Sequence, residues 1–166
     1  MKALLATERV VVRIETIILV AFLSTMVLLS FSQVVMRNLF DTGLLWGDTL
    51  VRHLVLWVGF TGAAIATSEE RHISMDVFSK LLPPRVRYIA HIVTNGFALY
   101  ICYLLAGAAY TFFLSEKSAG GTLVLDIPAW VGLVVIPPGY LLMVFHFGVK
   151  LLKSVAEALG KTPEVS

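Results

Sequence analysis

Apolar residues run almost without interruption through four stretches of the chain, at about 16–36, 45–67, 88–114 and 127–149. Each reaches the roughly 20 residues that carry a helix across the hydrocarbon core of a bilayer. The pattern predicts an all-α integral membrane protein, with residues 1–166 forming a single domain of four transmembrane helices. Charged residues mark the edges: Arg37 closes the first stretch, and Lys150 and Lys153 close the fourth. The third is longer than a perpendicular crossing needs, which predicts a tilt. The first follows Lys2, Arg9 and Arg13, as a secretory signal would. Its apolar run, however, exceeds the roughly 7–15 residues of a signal core, and no small-residue cleavage site follows it. It reads as an uncleaved span.

The connections carry patterns of their own. Between the second and third spans, Met75, Val77, Phe78, Leu81 and Leu82 fall mainly on one helical face, with Asp76, Ser79 and Lys80 opposite, ahead of Pro83-Pro84. This predicts a short amphipathic helix lying in the membrane interface; an extension of a flanking span is the alternative. The loop after the third span holds Gly120-Gly121 and ends Asp126-Ile127-Pro128-Ala129-Trp130. Asp126 is suited to cap the next helix, Pro128 to occupy its first turn and Trp130 to sit at interface depth. Pro137-Pro138-Gly139, near the middle of the fourth span, predicts a kink whose freed carbonyls must be satisfied by a neighbouring helix or by water.

Composition narrows the class. Only 14% of the residues are charged, 58% are hydrophobic and the mean hydropathy is +0.86, whereas soluble domains carry about 25% charged residues. The expected surroundings are lipid. A net charge of +2 and the lack of any basic, aromatic-interleaved patch exclude nucleic acid as a partner. Basic residues are unevenly spread: ten lie in the N-terminal arm, the second connection and the C-terminal arm, against Arg37 and Lys117 in the other two connections. Positive charge favours the cytoplasmic side, so both termini are expected in the cytoplasm, with the first and third connections outside. The single cysteine, Cys102, lies within an apolar run and allows neither an internal disulfide nor a CxxC pair.

Asp48 and Arg52 stand four apart with the acid first, the spacing and order that support an ion pair on a helix. They sit at the mouth of the second span, where charge is costly enough to want a reason. Small residues recur at four-residue spacing (Gly59 with Ala63, Gly62 with Ala66, Cys102 with Ala106), which lets membrane helices approach closely. Nearly every polar residue of the spans falls within two turns of an end: Glu15, Gln33, Arg37, Asp48, Arg52, His53, His91, Asn95 and His146. No charge stands at the centre of a span and no pair of broken helices offers a midplane ion site, features a substrate or proton pathway normally requires. The histidines are expected at the interfaces, satisfied by water, headgroups or backbone. Two facing imidazoles could in principle hold a haem iron, so a haem-bearing redox subunit is one alternative and a self-assembling structural membrane protein is another. No nucleophile–base arrangement or phosphate-binding loop is present, and an enzyme is not expected.

Arg37, Trp46, Asp48 and Arg52, followed by Trp57, Phe60, Gly62-Ala63-Ala64, His72-Ile73 and Asp76, form an ordered pattern across the first half of the chain. Ile127-Pro128-Ala129-Trp130 and Ile136-Pro137-Pro138-Gly139 with Leu141-Leu142-Met143 continue it. In order and spacing, from about Glu15 to Lys153, the chain resembles the small membrane subunit of tripartite ATP-independent periplasmic (TRAP) transporters, the DctQ type. It departs at Gly47, where the family commonly has an acid before the second acid. The resemblance implies a non-catalytic subunit in the inner membrane of a bacterium or archaeon, without a cofactor of its own. Its partners would be a large TRAP membrane subunit and a periplasmic substrate-binding protein. The large subunit would hold the ion-coupled transport site, with sodium as the expected ion and an organic acid as substrate. Ending at Ser166 with no further span, the chain is expected to be separate from that subunit. Asp48–Arg52 and Arg37 are then expected either to tie the outer ends of the first two spans or to meet the loaded binding protein. His72 and Asp76 would anchor the cytoplasmic connection. The small-residue faces and the aromatic-rich third and fourth spans would contact the large subunit.

Overall fold

The computed structural model describes residues 2–44, 46–68, 84–123 and 126–158. These fold into α1 (Lys2–Phe40), α2 (Gly47–Ser68), α3 (Pro84–Ala119), the short α4 (Ala129–Leu133) and α5 (Ile136–Ala158). No strand occurs among the described residues beyond an isolated bridge between Thr122 and Pro128. Four helical stretches, Ala6–Phe40, Gly47–Ser68, Ile89–Ala119 and Ala129–Ala156, are long and apolar enough to cross a membrane. The protein is therefore an all-α, four-span membrane protein. The amphipathic helix expected around 75–82, with His72 and Asp76, lies outside the described residues.

Local chemistry ends the long helices. α1 stops where Asp41 turns into the left-handed region (φ +48°), and α3 stops at Gly120 (φ +64°), the backbone conformation that commonly ends a helix. The start of α4 corrects an expectation. Its N-cap is Pro128, with no side-chain cap, and Asp126 instead takes φ +57° inside a tight turn. There Leu123 N–H donates to the Ile127 carbonyl (2.6 Å) and Ala129 N–H to the Gly121 carbonyl (2.8 Å). The loop backbone thus satisfies the first free N–H of α4, leaving no such task for the Asp126 side chain.

The last span is broken between α4 and α5, at Val134–Val135. Pro137 and Pro138 have no N–H to offer the Leu133 and Val134 carbonyls, so an unbroken helix is not available. The ladder resumes when Gly139 N–H donates to the Val135 carbonyl at 2.9 Å.

The helices stand in a row: α1 against α2, α2 against α5, and α5 against α3. Ring contacts and glycine notches fix the register. α1 and α2 run antiparallel, with Phe22 edge-on to Trp57 (centroids 5.0 Å) and Leu19 beside Gly62. α2 and α5 run parallel, since Phe60 packs against Gly139 and edge-on to Tyr140 (5.3 Å) while Trp57 bonds to Gly132 just before α5. α3 and α5 run antiparallel, with Asn95 at Ser154 and Phe113 near Trp130. One end of the row, the terminal end, carries the start of α1 and the finish of α5. The other, the loop end, carries the α1–α2 and α3–α4 connections.

The interior is lined by small side chains and the exterior by large ones. Ala64, Cys102, Ala106 and Ala109 are buried, while Leu28, Phe31, Phe97 and many other large apolar residues are exposed. In lipid, small residues between helices bring backbones together, and large apolar ones outside cost nothing. Cys102 and Ala106 meet this description. Gly59, Ala63 and Ala66 do not, because they face outward.

Candidate functional site

At the terminal end a polar seam runs along α5. His146 is fully buried, and its Nε2 lies 3.2 and 3.3 Å from the two carboxylate oxygens of Glu15 on α1, itself only 3% exposed. One proton is shared between His146 Nε2 and the Glu15 carboxyl group. His146 Nδ1 has no hydrogen-bond partner. Two turns nearer the terminus, Lys153 Nζ meets Glu8 of α1 at 3.0 Å. On the α3 side, Asn95 Nδ2 donates to Ser154 Oγ (3.3 Å), which donates to the Lys150 carbonyl (3.0 Å). Lys150 is buried among them and engaged. The seam therefore ties both edge helices to α5. His146 overturns the expectation of interfacial histidines met by water, headgroups or backbone. Glu8 and Glu15 are seven apart, and His146, Lys150, Lys153 and Ser154 follow helical spacing, so two polar faces were visible in the chain. Their pairing across 131 residues was not.

At the loop end the chemistry is apolar. A cavity of about 410 Å³ is lined by Trp46, His53, Leu54, Trp57, Ile127 and Val131, among others. Trp57 Nε1 donates to the Gly132 carbonyl at 2.8 Å, tying α2 to the chain just ahead of the break. The His53 ring lies against Gly132 so closely that any side chain there would overlap it. His53 Nδ1 also lies 2.7 Å from the Thr49 carbonyl. Trp130 takes the edge of Phe113 (5.9 Å) and stands 5.8 Å from Lys117 Nζ. The two prolines part: Pro137 faces a groove beside α3, whereas Pro138 lines a cavity with Glu15, Phe22 and Trp57.

Between the loop ends of α1 and α2, a small cleft of about 140 Å³ brings Arg37 and Asp48 together with Gln33, Gly43 and Leu44. Arg37, Asp48 and Arg52 are all exposed, and no ion pair links them among the described residues. The expected Asp48–Arg52 pair is therefore not made. Both charges can be solvated separately, and Asp48 sits in the first turn of α2, where the helix dipole favours a carboxylate. Gly47 is buried beneath Gln33, so this position has no room for a side chain unless Gln33 moves. Among the described residues, no group of three His, Cys, Asp or Glu side chains could hold a metal ion.

Among known families, residues 26–157, well over half of the chain, match the DctQ component of tripartite ATP-independent periplasmic transporters. The chain belongs to the DctQ family. A Haemophilus influenzae protein provisionally named a TRAP transporter small permease is 32% identical over 97 residues, covering 58% of this chain and 60% of its own length. The C4-dicarboxylate TRAP transporter small permease of Vibrio cholerae is 28% identical over 108 residues, covering 63% of this chain and 47% of the relative. The chain thus spans less than two thirds of either relative. The sialic acid TRAP transporter permease SiaT of H. influenzae is 27% identical over 77 residues, 45% of this chain but only 12% of that longer protein.

Proposed function

We propose that this DctQ-family chain is the small, non-catalytic membrane subunit of a secondary transporter that takes up an organic acid. A large membrane subunit would hold the substrate and coupling ion, sodium being the expected one, and a periplasmic binding protein would deliver the substrate. The observation that carries the proposal is the match to SiaT, where the corresponding segment is 12% of a far longer permease. A segment like this one accompanies a large permease body there. The family match over 26–157 supports the same role, and the polar seam fits it, since Glu15–His146, Glu8–Lys153 and Asn95–Ser154 pair across helices.

With ten basic residues on the terminal side, both termini lie in the cytoplasm and the Arg37–Asp48 cleft opens to the periplasm of an inner-membrane protein. The cleft and exposed Arg52 form the contact for the loaded binding protein. The whole chain acts as one membrane domain that widens and steadies the large subunit.

A mild-detergent pull-down of the tagged chain from its native membranes tests the assignment. A stoichiometric, much larger membrane protein is expected, and organic-acid uptake should cease when this chain alone is deleted. Recovery of the chain only with itself, or uptake that survives the deletion, would end the subunit reading. Arg37→Glu is expected to cut uptake several-fold with the complex intact; unchanged uptake removes the docking role.

A further inference from the structure

We infer that the outward face of α3 is the contact surface for a membrane-embedded helix of the large subunit, read by hydrogen bonds from the phenols of Tyr100, Tyr103 and Tyr110. This rests on the subunit reading above. The three tyrosines are 58%, 67% and 58% exposed, and with Gly96, Gly107 and Thr111 they form one arc of α3, which runs from the side away from α5 at Tyr100 round to the flank of α5 at Tyr103 and Tyr110.

Threonine hydroxyls in the spans can satisfy themselves on their own helix. Thr16, Thr25 and Thr67 return their protons to the carbonyl four residues back, at 2.7–2.8 Å. Thr111 does the same to Gly107 at 3.1 Å. A phenol sits at the end of a rigid ring and cannot fold back in this way. No hydrogen bond joins any of the three phenols to another residue among those described. Nor can they all reach water. Within the apolar stretch Ile89–Ala119, Tyr103 stands about 21 Å of helix rise from one end and about 24 Å from the other. That is mid-bilayer depth, too far for the ring to reach an interface. In hydrocarbon, an unbonded hydroxyl is unfavourable and favours a partner that presents acceptors.

The shape of the face suits a helix. Gly96 and Gly107 have open space where a side chain would stand, leaving dips that admit a neighbouring backbone. Tyr103, Gly107 and Tyr110 also wall a groove of about 390 Å³ with Pro137 and Leu141. The opposite edge of the row differs. Exposed α1 residues such as Ile17, Leu23, Val27, Leu28 and Phe31 are apolar, its Thr16 and Thr25 are self-bonded, and its exposed Ser24 and Ser32 carry short side chains that can turn to their own backbone. That edge suits lipid.

The test places a photo-crosslinking residue at Tyr103, and separately at Leu28, in the full complex in native membranes. It is paired with the triple variant Tyr100→Phe/Tyr103→Phe/Tyr110→Phe, which keeps every ring. The Tyr103 position should yield an adduct with the much larger membrane protein and the Leu28 position should not. At about threefold per hydroxyl, the triple variant should retain on the order of 20-fold less of that protein after detergent extraction. If the wild-type chain brings down no larger protein, the subunit reading itself fails. If the larger protein is present but reacts only at Leu28, the inference fails and the reading stands. Adducts at Tyr103 with lipid alone or with a second copy of this chain overturn it too, as does full retention by the triple variant.

Discussion

The two ends of the helix row are fastened by opposite chemistry. At the terminal end, Glu15–His146, Glu8–Lys153 and Asn95–Ser154 bind α1 and α3 to α5 through charge and hydrogen bonds. At the loop end, Gly132 and Gly139 accept His53 and Phe60 into notches, and aromatic edges complete the contact. Polar pairs in a low-dielectric interior are unforgiving: a helix that slips by one turn strands every partner, so they set register. Aromatic and glycine contacts are shorter in range and leave a cavity of about 410 Å³ beside them. One end fixes which residues meet, and the other is where shape can yield.

Breaking the polar end should have the largest effect. Glu15→Ala alone, or His146→Leu alone, leaves a buried group without its partner and should cost about 3–5 kcal/mol. Replacing both by leucine should recover most of that, and thermal denaturation in detergent would show it. Equal losses for the single and double variants would mean that the cost lies in losing the pair itself and not in stranding a buried polar group. At the loop end, Gly132→Ala drives a methyl into the His53 ring and should cost about 1–3 kcal/mol. Combining it with His53→Ala should relieve much of this. Trp57→Phe keeps the ring against Phe22 but removes the donor to the Gly132 carbonyl. A loss of about 0.6–1.5 kcal/mol is expected, with the helix break less protected from hydrogen exchange. Asp48→Asn should be smallest, within about 0.5 kcal/mol, because its exposed carboxylate is paired with neither Arg37 nor Arg52. A larger fall in stability would expose a tie that the exposed geometry does not contain.

Much of the architecture could be read in advance because lipid imposes a one-dimensional rule: a helix that crosses must be apolar over its whole length. That rule located all four spans, and the missing N–H groups of Pro137 and Pro138 located the break in the last one. The polar seam was harder. Glu15 and His146 each looked like a residue near a helix end, and only the arrangement of α1 against α5 removes both from water. Asp126 was misjudged for a related reason. The sequence offers its side chain as a cap, but a backbone carbonyl at Gly121, brought close by the turn, reaches Ala129 first. For the proposed interaction residues the reading stops at placement: Arg37 and Asp48 share a cleft, and Trp46 and Trp57 share a cavity.

An interrupted helix inside a membrane usually advertises vacant oxygens, and carriers exploit such vacancies to strip water from an ion. Here the Gly132 oxygen is already claimed by an indole from the same polypeptide, 2.8 Å away. The bend between α4 and α5 is thus pinned to α2 at that oxygen, which is not left open to an ion.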